Sequence, residues 1–90
     1  MAYAGLKIKV MPESPEEDLK KIETAIAEIV ESLDAKMHAV EVEDVAFGLR
    51  ALIITIAWPE MQDLDLIEEK VAQVSGVNSV QVIDFRRAIG

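Results

Sequence analysis

The stretch Ala51-Leu52-Ile53-Ile54-Thr55-Ile56-Ala57-Trp58 is apolar at nearly every position, and Pro59 closes it. A strand with one wetted face alternates polar and apolar residues, whereas one that is apolar on both faces belongs in the middle of a sheet. Upstream, Val45-Ala46-Phe47-Gly48-Leu49-Arg50 interrupts the pattern and must contain a turn. Before that turn, Met37 to Asp44 alternates, with Val40 and Val42 set against Glu41 and Glu43. Two strands therefore follow one another at mid-chain with only a turn between them.

Working outward, both flanks read as a helix and then a strand. Leu19, Ile22, Ile26, Ile29, Val30 and Leu33 recur at steps near three and four, which predicts an amphipathic helix with an acidic outer face. Ser14 suits its N-cap, Pro15 its first position and Glu17 its third, a capping box, and Glu16, Glu17 and Asp18 favour the positive end of the helix dipole. Leu6-Lys7-Ile8-Lys9-Val10 before it alternates as a strand with Leu6, Ile8 and Val10 on one face. Downstream, Asp63 can cap a second helix whose core face is Leu64, Ile67, Val71 and Val74, and Gly76 stands where a left-handed C-terminal residue is expected. Val77 to Phe85 completes the pattern as a fourth strand.

The order βαββαβ is the split βαβ, or ferredoxin-like, arrangement. Its crossovers are right-handed, and both helices then lie on one face of a four-stranded antiparallel sheet. The fold class predicted is α+β, with residues 1–90 forming a single domain. The helix-free face should be wetter, carrying Lys7, Lys9, Glu41 and Glu43.

Composition narrows the function. A formal net charge of −8 argues against a nucleic-acid binder, because counterion release rewards basic surfaces. Aromatics at 4% leave no base-stacking platform. The chain has no Cys, so thiol nucleophiles, disulfides and thiolate metal sites are excluded. No run approaches the ~18 apolar residues of a membrane span, and no long apolar signal core opens the chain, which points to a soluble, cytoplasmic protein. The architecture hosts RNA-binding domains, metal chaperones, acylphosphatases and amino-acid-sensing domains, so residues must decide among them. The first loop, Met11-Pro12-Glu13-Ser14-Pro15, lacks the thiolates of a metal chaperone. Its two prolines and the acids that follow repel phosphate. His38 is the only His, and no nucleophile–His–acid set can be assembled from it. The carboxylates of Glu13, Glu16, Glu17 and Asp18 are explained by helix capping and not by a metal. No catalytic residue, metal, cofactor or tightly bound small molecule is expected.

Three blocks resemble the archaeal translation elongation factor 1-beta family: Ile8-Lys9-Val10-Met11-Pro12-Glu13-Ser14-Pro15, Val45-Ala46-Phe47-Gly48-Leu49-Arg50-Ala51-Leu52, and Val77 to Arg87. The resemblance covers essentially the whole chain, and its Ala-Phe-Gly-Leu block is the most telling. It implies a guanine-nucleotide exchange factor without bond chemistry of its own. The implied partner is the GTPase elongation factor 1-alpha, which carries aminoacyl-tRNA to the ribosome. It also implies roles for individual residues. On residue type alone, Phe47 would pack inward and close the core; the resemblance makes it an exposed anchor on the GTPase, with Gly48 supplying backbone freedom. Arg50 matches a basic position of the family. Arg86 and Arg87, expected just beyond strand four, stand near the place where the family uses a basic residue to disturb the magnesium site of the GTPase. Eukaryotic members carry a Lys there, and this chain has none after Lys70; an Arg is a planar fork and not a compact ammonium. A solubilising terminus, or pairing with Asp84, is the plain alternative for the two arginines. A regulatory domain binding a small amino-acid-type ligand is the other function compatible with βαββαβ order, and the acidic, proline-bounded first loop speaks against it.

Charge is unevenly spread. Residues 11–44 hold eleven acids and three bases, residues 59–84 hold six acids and one base, and the remainder carries only the bases Lys7, Lys9, Arg50, Arg86 and Arg87. This predicts an acidic solvated back, with the few basic residues near the docking face.

Overall fold

The computed structural model describes residues 2–87. Its elements run β1 (Tyr3–Pro12), α1 (Leu19–Ser32), β2 (Lys36–Asp44), β3 (Arg50–Pro59), α2 (Asp65–Ala72) and β4 (Val77–Arg87), with one 3-10 turn at Ala46–Gly48. The strands form one antiparallel sheet in the order β2-β3-β1-β4. The apolar stretch from Ala51 to Trp58 is therefore central, as its two apolar faces require.

Register explains the core. Leu6, Ile8 and Val10 pair with Ile56, Ile54 and Leu52, so their side chains share one face of the sheet. Ile22, Ile26 and Val30 of α1 and Ile67 and Val71 of α2 join them in one buried cluster with Trp58. Both helices thus cover the same face, and each fully buried aliphatic side chain there contributes roughly 1.5–3 kcal/mol. The opposite face carries Lys7, Lys9, Glu41 and Glu43 as expected, and the Lys9 ammonium lies 3.6 Å from Glu43.

The structure corrects four expectations. First, Ser14 does not cap α1: Asp18 does, accepting from Lys20 N at 3.0 Å and Lys21 N at 3.4 Å. Ser14 instead closes its own turn, accepting from Glu16 N on its hydroxyl and from Glu17 N on its carbonyl. The cause is long-range. Glu13 N donates to Gly76 O at 2.8 Å, and Glu17 packs so closely that a Cβ on Gly76 would stand 2.7 Å from its Oε1. This tie fixes Glu13–Glu17 as loop, and Asp18 becomes the first residue free to start a helix. Second, Asp63 does accept from Asp65 N at 3.0 Å, but α2 begins only at Asp65. Third, Val42 is 53% exposed, because β2 is an edge strand and of its helix-side positions only Met37 and Val40 pack on the core. Fourth, β4 does not stop at Phe85: Arg86 and Arg87 are strand residues paired with Gly5 and Ala4. Gly76 adopts φ +92°, the conformation its place after α2 implied.

Candidate partner-binding site

The β2–β3 connection is a short hairpin closed by Val45 N donating to Leu49 O at 2.8 Å and Leu49 N donating to Ala46 O at 3.3 Å. Reversing the chain in so few residues needs left-handed backbone, and two consecutive residues supply it: Phe47 at φ 63°, ψ 31° and Gly48 at φ 76°. Gly48 does this without strain. A Cβ there would meet nothing within 4 Å, so its φ and not crowding is what calls for glycine. Phe47 has no such freedom, and the left-handed region costs an L-residue about 1–2 kcal/mol. The residue is 94% exposed, so no packing among the described residues offsets that cost. The inward-packing reading of Phe47 is thereby excluded, and what remains is an aromatic ring held outward on a short closed turn.

Arg50 opens β3 directly opposite Asp44, with Nε 3.5 Å from Oδ1. Both side chains are well exposed, so the pair adds little to stability and the guanidinium stays accessible to a partner. An open cleft of about 450 Å³ separates Gly48 and Arg50 from Pro12 and Pro15, with Asp18 and Lys20 on its wall. Phe47, Gly48 and Arg50 therefore form one group at one end of the sheet.

Arg86 and Arg87 do not join it. Arg86 pairs with Gly5, which pairs with Ala57, seven residues along β3 from Arg50. At ~3.3 Å per residue the two groups are about 23 Å apart along the strands. Arg86 Nε lies 3.1 Å from Asp84 Oδ2 on the helix-free side, and Arg87 Nη1 lies 3.7 Å from Glu60 Oε1. Both guanidinium side chains remain more than three-quarters exposed. The expected single basic docking face is accordingly resolved into two ends, with Lys7 and Lys9 on the sheet between them.

Other residues singled out in the sequence fall into place more simply. His38 is exposed at a bulge in β2. Trp58 is fully buried, and its Nε1 donates to Gln62 O at 3.0 Å. Among the described residues, no group of three or more His, Asp or Glu side chains is placed to hold a metal ion, and no helix is long and apolar enough to cross a membrane. Four exposed apolar residues had no sequence signal: Tyr3, Leu66, Met61, isolated in a polar loop, and Ile83, 43% exposed where β4 bulges against β1.

Residues 6–88 match the model of the EF-1 guanine nucleotide exchange domain. Among curated proteins, the chain is 42% identical over 89 residues to the elongation factor 1-beta of Methanosarcina barkeri, covering 97% of this chain and 99% of that one. It is 40% identical over 88 residues to the elongation factor 1-beta of Natronomonas pharaonis, with the same coverage, and 36% identical over 86 residues to that of Methanococcus maripaludis, covering 94% and 97%. Among solved structures, it resembles the ACT domain from the GTP pyrophosphokinase of Chlorobium tepidum at a TM-score of 0.63 and 14% identity, covering 92% of this chain and 100% of that one. That last likeness concerns the βαββαβ fold alone.

Proposed function

The chain belongs to the EF-1 guanine nucleotide exchange domain family, and from that premise we propose that it promotes exchange of GDP for GTP on elongation factor 1-alpha. Residues 1–90 act as a single exchange domain in the cytoplasm, regenerating the GTP form that carries aminoacyl-tRNA to the ribosome. The observation that carries the reading is Phe47, which lies in the block most telling of the family, is almost wholly exposed and is held in the left-handed conformation of a closed turn with no packing of its ring among the described residues to offset the strain. Strain of that kind persists where it serves a site.

The mechanism is linkage and not bond chemistry. A protein that binds the nucleotide-free GTPase more tightly than the GDP form must weaken GDP binding by the same factor. Phe47 fills a pocket on the GTPase, with Gly48 setting the turn and Arg50 meeting an acidic rim. At the other end, Arg86 or Arg87 acts near the magnesium site of the GTPase. Mg²⁺ demands near-ideal octahedral geometry, so a small displacement of its ligands costs much of its affinity.

The test is release of fluorescently labelled GDP from elongation factor 1-alpha. The protein should accelerate release, and Phe47→Ala should lower the efficiency of exchange by about thirtyfold or more, the loss of ~2 kcal/mol expected of an aromatic anchor. Release that is equally fast with and without the protein would dismiss the reading.

A further inference from the structure

Among the described residues, two large apolar side chains stand more than nine-tenths in solvent: Phe47 at 94% and Met61 at 97%. Met61 lies in the connection between β3 and α2, at the far end of the sheet from Phe47. An isolated exposed apolar residue on a loose loop would need no explanation. This connection is not loose. Gln62 N donates to Pro59 O at 3.0 Å, and Glu60 N donates to Ala2 O at 3.0 Å. From beneath, the buried Trp58 indole donates to Gln62 O at 3.0 Å, and Gln62 Nε2 donates to Leu33 O at 2.8 Å. Three hydrogen bonds thus tie the turn to Ala2 just before β1, to the buried Trp58 and to the residue that ends α1, and the fourth closes it on itself, while its one apolar side chain is exposed.

A side chain presented on a rigid turn loses little backbone entropy when a partner covers it. Methionine suits such a role, because its unbranched, polarisable thioether adapts to irregular pockets. Glu60, beside Met61, also holds the Arg87 guanidinium at 3.7 Å, so Met61 and the end of β4 are parts of one surface. Its chemistry is an apolar tip with the exposed Arg87 guanidinium linked to its turn through Glu60, which fits a shallow apolar pocket with a carboxylate on its rim. Pro59 is nine residues along β3 from Arg50, about 30 Å at ~3.3 Å per residue, and the two turns lie beyond those ends in a molecule 41 Å long. An interface of ~800 Å² per partner is only about 32 Å across, so one that covers both turns belongs to the larger class found in signal-transduction and permanent assemblies.

We infer that Met61 is a second apolar anchor on the GTPase, seated beside the contact made by Arg86 and Arg87. The inference rests on the exchange reading above. It is tested by following labelled GDP release from elongation factor 1-alpha over a range of concentrations of the wild-type protein, Met61→Ala and Met61→Leu. Met61→Ala should raise the half-saturating concentration about fivefold to thirtyfold while keeping the wild-type melting temperature, and Met61→Leu should restore most of the affinity. If the wild type accelerates release and Met61→Ala matches it at every concentration, the inference is overturned and the exchange reading stands. If the wild type does not accelerate release, both fall.

Discussion

At the scale of single residues, stability and use diverge at Phe47. A solvent-exposed phenylalanine in the left-handed region gains nothing from packing and carries about 1–2 kcal/mol of backbone strain. Phe47→Gly relieves that strain, less the ~0.5–1 kcal/mol of extra chain entropy that glycine loses on folding. The expected outcome is a protein stabilised by about 0.5–1 kcal/mol in urea unfolding that has nonetheless lost exchange activity. Phe47→Ala keeps the strained backbone and removes an unpacked ring, so its stability should stay within ~0.5 kcal/mol of wild type. Activity that survived in the more stable glycine variant would show that the ring is not the anchor. This position also marks where the sequence is silent. Residue type favours burial for a lone aromatic, and no periodicity extends into a turn. Only the likeness of the Ala46–Leu49 block to a known family pointed outward. Met61 had not even that signal, since its turn is held by hydrogen bonds from Glu60 to Ala2 and from Gln62 to Leu33, both remote in sequence.

At the scale of elements, local signals located the helices and strands but long-range ties set their ends. The spacing from Leu19 to Leu33 correctly identified the buried face of α1, because side-chain periodicity is a local property of the helix. Its start was not legible in the same way. Ser14 and Asp18 are both competent caps, and the choice is made by Gly76, which draws Glu13 and Glu17 into the loop. Asp18→Ala should therefore cost about 1 kcal/mol, or ~4–8 °C in melting temperature, whereas Ser14→Ala should cost a few tenths of a kcal/mol. Thermal unfolding followed by circular dichroism separates the two, and equal losses would mean that Ser14 shares the capping. The end of β4 is set by a related cause. Arg86 and Arg87 look like a solvated terminus, yet their backbone groups pair with Gly5 and Ala4, and a ladder is indifferent to charge on side chains that point away from it.

At the scale of the whole molecule, the principal extents are 41 × 21 × 18 Å, and the two candidate contact groups occupy the ends of the strands. Trp58 reports on the middle: it is fully buried against both helices' core and bonded to the Met61 turn. Its fluorescence should shift to the red in one cooperative urea transition that coincides with loss of far-ultraviolet circular dichroism, as expected of a small domain with one core. Separate midpoints would mean that the Met61 end opens independently of the rest. The position of β1 has a further consequence, for how the chain becomes ordered. β1 is made first, yet it lies between β3 and β4, pairing Tyr3 with Pro59 along one edge and Ala4 with Arg87 along the other. Each closure spans most of the chain, and the search for such distant partners slows folding to the range of mixed α/β domains, behind helical bundles of the same size. During synthesis the sheet cannot be completed until Arg87 has left the ribosome, so the last of the four strands to be made is also the one that closes the sheet.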